Sequence, residues 1–521
     1  MNGAEALLRT LIDSGVEVCF ANPGTSEMHF VAALDRVAGM RCVLGLFEGV
    51  VTGAADGYSR IAGKPAATLL HLGPGLGNGL ANLHNAKKGK AAIVNIVGDH
   101  ATYHLQYDTP LTSDVVAVAK PMSHWVHSSS SSEHLPADAA QAVAAALSAP
   151  GQIATLILPA DVSWGDSAPG PAAAPTPAKP RQAHADAIAR AAEALDCGEP
   201  AMILLGGHIS DTELEVAARI AASCGARLAV ETFASRVPWG GGRPSYEKIP
   251  YLAEFAIDHL KTVRRMVLVG VNAPASFFAY PGVPSRLNHD DCEIVTLAED
   301  FHDRQDALER LADALHADGS NVARNPDQPA AAPGGALSTA TVGDVISALL
   351  PEGAIIVDEG ITGAMEVFPR CTSARSHQWI MQTGGSIGWG LPAAVGAAIA
   401  APDAKIVCLE GDGSAMYTIQ ALWTMAREKL DVTVLLFANR DYAILQLEYL
   451  RVGATAMGSN ARGMMHIGNP DIDFVTLAQS MGVTATRATN ADELFAQFGD
   501  AMTQPGPRLI EVMMPAMNLG F

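Results

Sequence analysis

The chain has 521 residues, room for about three domains at ~100–200 residues each, and 49% hydrophobic against 17% charged residues is the composition of a folded globular protein. Lys and Arg total 34 against 54 Asp and Glu, and the formal charge of −20 excludes nucleic acid and anionic membrane surfaces as expected partners. The 7 cysteines are scattered without a CxxC pair, and no apolar run reaches the ~18–20 residues that span a bilayer, so a soluble protein of the reducing cytoplasm is expected.

The N-terminal MNGAEALLRTLIDSGVE has amphipathic helical spacing and no basic leader pattern. Short β-branched runs then alternate with Ala-rich helical stretches: VEVCFANPG, CVLGLFE, AATLLHLGPG and AAIVNIVGD. The alternation returns with AMILLGG, RLAVETF, RMVLVG and CEIVTLAED, and again with AIIVDEG, KIVCLEGDG, VTVLLFANR and PRLIEVMMP. Between the three groups lie two stretches rich in Pro, Ala and Gly, residues 165–183 and 318–336, which read as linkers because such segments stay extended and bury no face. The pattern predicts an α/β fold of three doubly wound parallel-sheet domains, 1–164, 184–317 and 337–521. In such sheets ligands gather at the carboxyl ends of the strands.

The strongest local signal is Gly411-Asp412-Gly413-Ser414 after the strand KIVCLE, followed by the helical TIQALWTMAREKL and the returning strand VTVLLFA, which ends at Asn439-Arg440-Asp441. A right-handed βαβ crossover sets these strands side by side, so Asp412 and Asn439 can meet at one sheet edge. With the main-chain carbonyl of Asp441 they make a hard-oxygen set suited to Mg²⁺ holding a diphosphate. Gly411 and Gly413 let backbone approach phosphate, and Ser414 is expected to open a helix whose N-terminus favours an anion. The plain alternative is a strand-to-helix turn with Asp412 as its N-cap.

GDG, 25 residues and then Asn resembles the diphosphate-binding motif of thiamine-diphosphate (ThDP) enzymes, with Ala438 where that pattern has the first of two Asn. This cofactor needs a carboxylate at N1′ of its aminopyrimidine, and Glu48, in LGLFEGVVTGAADGYSR, matches the family's Glu followed by ADGYAR. Burial would make that carboxyl ready to share a proton; its plain alternative is a cap on the helix starting near Gly49. The chain is similar throughout to the acetolactate synthase, pyruvate oxidase and benzoylformate decarboxylase group, which implies pyrimidine-binding, central and diphosphate-binding domains in that order. In GGSIGWGLPAA the resemblance implies that the Gly385 carbonyl receives the 4′-amino group and that Ile387 is the wedge beneath the thiazolium. Thr362, in VDEGITGA, and Tyr442 are expected beside the diphosphate, and Glu48 is expected to serve a cofactor held by a second subunit, in a homodimer or homotetramer.

In this group a 2-oxo acid loses CO₂ through an enamine intermediate, which a proton, a second carbonyl compound or an oxidant then resolves. Local motifs resemble benzoylformate decarboxylase: NPGTSEMHF puts Ser26 at its substrate-contacting serine, and HLGPGLGNG puts His71 at the first of two catalytic histidines. Its second histidine aligns with Phe278, which predicts slow protonation and a bias toward ligation. His100 and His104 are an alternative proton path, though loop histidines are commonly surface residues. Phe277, Phe278, Tyr280 and Tyr442 are either an aromatic pocket or domain packing, with Leu445 as a further pocket residue. FAD is not expected, because no fingerprint follows RMVLVG and the RFDDR-like segment of acetolactate synthases is missing. The expected function is a ThDP- and Mg²⁺-dependent 2-oxo-acid decarboxylase or carboligase, with an aldehyde among its acceptors. The alternatives are an acetolactate-synthase-like enzyme and a non-catalytic family member.

Overall fold

The computed structural model describes residues 1–173, 176–454 and 456–516. Ala174 and Pro175 of the expected first linker, and Thr455 and residues 517–521 of the third segment, lie outside the described residues.

Three sheets form, with helices packed against them. The first runs through β1 (Val18–Ala21), β2 (Arg41–Leu44), β3 (Ala66–Leu70), β4 (Ile93–Asp99), β5 (Trp125–Ser128) and β6 (Ile153–Pro159), all parallel in the order β2-β1-β3-β4-β6-β5. β3, β4 and β6 are buried along their whole length, as their largely apolar runs require of strands covered on both faces. The second segment contributes β7 (Ala201–Leu205), β8 (Arg227–Val230), β9 (Arg236–Trp239), β10 (Glu247–Lys248), β11 (Arg265–Val269) and β12 (Glu293–Ala298). Five of these make a parallel sheet, β10-β8-β7-β11-β12, and β9 leaves it.

The third sheet holds β13 (Ile355–Glu359), β14 (His377–Met381), β15 (Ile406–Gly411), β16 (Val432–Ala438), β17 (Thr484–Ala488) and β18 (Arg508–Met513), in the order β17-β18-β16-β15-β13-β14-β9. β9 pairs antiparallel with β14, Arg236 opposite Ile380 and Trp239 opposite His377, so the middle segment supplies one edge of a sheet expected to be purely parallel.

The Glu48–Ala62 helix lies on the Gly390–Ala400 helix and joins the first and third sheets. Glycine is required at this crossing: a Cβ on Gly57 would sit 2.1 Å from the Ala393 carbonyl oxygen, and one on Gly396 1.9 Å from that of Ala54. The same face carries a buried polar knot. Arg60 forks onto Asp56 at 2.6 and 2.7 Å, Trp389 Nε1 donates to Asp56 at 2.6 Å, and Arg60 reaches the Met381 carbonyl at 2.7 Å. The ADGYSR motif is thus an anchor between segments as well as a family mark.

Candidate active site

The nominated residues sit at carboxyl ends of strands. On the first sheet Ser26 follows β1, Glu48 follows β2 and His71 follows β3 directly; on the third, Thr362 follows β13, Gly385 follows β14, Asp412 begins where β15 ends and Asn439 succeeds β16. They fall into two groups, and among the described residues no hydrogen bond or ion pair joins Ser26, Glu48 or His71 to Asp412, Asn439 or Phe278.

In the first group Glu48 opens its helix, buried, and its Oε2 accepts from Asn78 Nδ2 at 3.0 Å. The carboxylate bonds a side chain from the next helix and not a backbone N–H, so the capping alternative is not realised. A Cβ on Gly75 would lie 3.1 Å from Glu48 Oε1 and 3.3 Å from His71 Cβ, so both side chains close in on that glycine. His71 Nδ1 is 2.9 Å from Glu27 Oε2, and Ser26 Oγ donates to Glu27 Oε1 at 2.7 Å. Glu27 is buried and also accepts from the Gly24 N–H at 2.7 Å. The carboxylate therefore fixes both the hydroxyl and the imidazole. Glu27 stands inside the quoted NPGTSEMHF, but a carboxylate in the polar turn Thr25–Glu27 gives no sequence signal of its burial.

In the second group Asp412 Oδ2 accepts from the Arg440 N–H at 2.6 Å and Oδ1 from the Gly413 N–H at 2.8 Å, so strands β15 and β16 bring Asp412 to Asn439 and Arg440 as the crossover predicts. Burial pushes the Asp412 carboxyl up to about 6, against the opposing pull of those N–H groups. Among the described residues no cationic side chain pairs with it, and a desolvated carboxylate beside an amide is a fitting place for a divalent cation. Asn439 Oδ1 accepts from the Asp441 N–H at 3.0 Å, while the Asp441 carboxylate turns away to His466 at 3.0 Å, leaving only its main chain for a metal. The Tyr442 ring covers Gly413: a Cβ there would be 2.3 Å from it. Ser414 does not open the helix. A single helical turn runs Asp412–Ala415 behind an N-cap at Gly411, and the next helix, expected from Thr418, starts at Ala421.

The loop bearing Gly385 and Ile387 is held from several sides. Gly385 has φ +76°, the left-handed region that glycine accommodates. Asn85 donates to the Ser386 carbonyl at 2.7 Å and accepts from its N–H at 3.2 Å, and Asn82 bridges the carbonyls of Gly49 and Gly388 at 2.9 and 3.0 Å. Beneath the loop, Glu359 accepts the N–H groups of Gly388, Trp389 and Gly390 at 3.0, 2.8 and 2.6 Å. Burial pushes Glu359 up to about 7 and, with the adjoining Glu359 charge, pushes Glu410 well above its usual range. Asn82, Asn85 and Glu359 carried no sequence signal, because their partners are backbone atoms about 300 residues away or in a later loop.

Thr362 is buried after β13, Leu445 stands 48% exposed on the Ala443–Arg451 helix, and Phe278 is 53% exposed, edge-on to Phe277 at 4.8 Å. The four aromatics do not form one cluster: Phe277 packs with Phe233 and Tyr251, whereas Tyr280 bonds Glu448 and lies under Arg451. A cavity of about 1030 Å³ lies at the ends of β7 and β11, and of the nominated residues Phe277 alone lines it. There the Gly207 N–H donates to Glu231, an acid held up by burial.

Two sheets presenting these groups define a thiamine-dependent enzyme, and family models agree: residues 1–124 match the thiamine pyrophosphate enzyme N-terminal TPP binding domain and 362–512 the C-terminal TPP binding domain. The chain belongs to this family of thiamine-diphosphate-dependent enzymes, of the acetolactate synthase and benzoylformate decarboxylase type. It is 51% identical to the "Putative acetolactate synthase large subunit IlvX" of Mycobacterium tuberculosis, over 99% of this chain and 100% of that one. It is 28% identical to the benzoylformate decarboxylase of Pseudomonas aeruginosa, over 96% of each. Its fold is similar to that of the thiamine diphosphate-dependent 4-hydroxybenzoylformate decarboxylase of Rhodococcus jostii, with a TM-score of 0.86 over 99% of this chain and 100% of that one at 24% identity. No described helix is long and apolar enough to cross a membrane.

Proposed function

We propose that the chain is a ThDP- and Mg²⁺-dependent enzyme that decarboxylates a 2-oxo acid and hands the remaining acyl carbon to a proton or to a second carbonyl compound. The carrying observation is the Ser26-Glu27-His71 cluster, which meets Glu48 at Gly75. In this reading residues 1–164 bind the pyrimidine, 184–317 form the central domain and 337–521 bind the diphosphate. Asp412, Asn439 and the Asp441 carbonyl hold Mg²⁺; Gly411, Gly413, Ser414, Thr362 and Tyr442 surround the diphosphate.

Bound ThDP supplies a carbon nucleophile and a sink for the electrons released with CO₂. The chain does the rest. Glu48 would hold a proton at the aminopyrimidine, the Gly385 carbonyl would accept its amino group, and Ile387 would give the cofactor an apolar support. Ser26 and His71 orient the substrate carboxylate. Phe278 and Leu445, exposed on one chain, wall the pocket once a second subunit brings its Glu48 opposite.

The test is a screen of 2-oxo acids, with and without aldehyde or pyruvate acceptors, scored for CO₂ and for ligation products. Absence of CO₂ from every acid, in protein that binds ThDP, would overturn the proposal. A second reading, joining of two 2-oxo acids, is favoured by Phe278 in place of a proton donor and by the name of the Mycobacterium relative. It predicts ligation product in excess of aldehyde with pyruvate as acceptor. A non-catalytic role needs none of Glu48, Asp412 and Asn439, all of which are present.

A further inference from the structure

Directly after β4, in line with the strand ends that deliver Ser26, Glu48 and His71, comes His100. With His104 it lines a cavity of about 280 Å³ whose walls also include Ser26, His71 and Trp164. The His100 and His104 rings are 5.6 Å apart. Among the described residues neither imidazole is ion-paired; His100 Nε2 is 3.4 Å from the Thr109 hydroxyl, and the His104 ring rests 5.6 Å from that of Tyr107. His71 differs: its Nδ1 is committed to the buried Glu27, which leaves one nitrogen for the cavity.

We propose that His100 and His104 are catalytic residues, a second proton donor facing the His71 cavity, which supplies from the first segment what Phe278 cannot supply from the middle one. The inference rests on the 2-oxo-acid reading above. A proton passes from an imidazolium nitrogen to the carbon that has lost CO₂, a C–H bond taking the place of the broken C–C bond. The imidazole is left neutral and takes its next proton from water, which reaches the loop past Tyr103 and Tyr107, 62% and 66% exposed. A donor of this kind contributes typically ~10²–10⁴-fold. Aldehyde release is then the fast outcome, and the ligation bias expected from Phe278 alone disappears.

Two measurements test this separately from the reading beneath it. In a single turnover of the holoenzyme with an aryl 2-oxo acid, CO₂ and aldehyde are quantified independently. The His100→Gln, His104→Gln double variant is expected to release CO₂ at the wild-type rate and aldehyde ~10²–10⁴-fold more slowly. Aldehyde at the wild-type rate overturns the inference, whereas wild type that releases no CO₂ overturns the 2-oxo-acid reading instead. In the cofactor-free wild-type protein, benzoate is the probe. The imidazole ¹⁵N signals of His71, His100 and His104 should shift together along one saturation curve, and shifts confined to His71 overturn the shared site whatever the enzyme's substrate is.

Discussion

At Asp412 burial and two N–H donors pull the carboxyl in opposite directions, and burial wins. A divalent cation reverses that balance by giving the charge a partner, so cofactor and metal should bind together. Asp412→Ala is expected to abolish the heat of ThDP binding in calorimetry with Mg²⁺ present; unchanged affinity would remove Asp412 from the site. Glu48 is held by Asn78 and belongs to the first group, not to the one around Asp412. Glu48→Gln should therefore bind ThDP with near wild-type affinity while exchange of the thiazolium C2 proton, followed by NMR, slows ~10²–10⁴-fold.

His377 belongs to the joint between β14 and β9. Its ring is fully buried, and burial, helped by Arg243, pushes it down to about 4 although the Arg375 carbonyl pulls the other way. As the ordinary value is ~6.5, the unfolded chain takes up the proton first as pH falls. This histidine's contribution is present above about 6.5 and is lost between there and about 4, amounting to ~3 kcal/mol by linkage. Thermal unfolding should show wild type losing stability across that window and His377→Gln losing less. The joint also marks the limit of what the sequence discloses. β13, β15 and β16 are largely apolar, β-branched runs that identify themselves, and GDG and Asn439 follow from the ends of β15 and β16. Arg236–Trp239 does not: four residues with a central proline make no strand signal, and only the partner edge of β14 defines them. The same physics hides Asn85, which binds backbone that chain order places elsewhere, and Glu27, whose partner His71 comes 44 residues later, while Asp56 and Arg60 are legible as a motif.

At the scale of the whole molecule, Arg60 connects all three segments: Asp56 in the first, the Ser235 carbonyl at 3.4 Å in the second, Met381 and Thr383 in the third. Removing one member strands a buried charge. Arg60→Ala should cost about 3–5 kcal/mol in chemical denaturation, and Arg60→Lys should not restore it, since a single ammonium cannot fork. The separation of Glu48 from Asp412 within one chain carries a second expectation. If the active unit joins one group from each of two subunits, mixing Glu48→Gln with Asp412→Ala protein under exchange conditions should recover activity that neither has alone. A fully active monomer in sedimentation would contradict it.

The strand that the middle segment lends to the third sheet bears on how such a protein can be remodelled. Trp239 stacks on Phe368 at 4.6 Å and donates to its carbonyl at 2.9 Å, so the two segments share a core as well as a ladder. Exchanging residues 184–317 for the corresponding part of a relative would import a foreign strand against His377–Ile380. Unless the incoming sequence kept an indole of matching register, the hybrid would carry an open sheet edge ready to pair with other chains. The segments of this chain are in that sense stitched, and recombination between them is constrained at a seam formed on the strand that leads to Gly385.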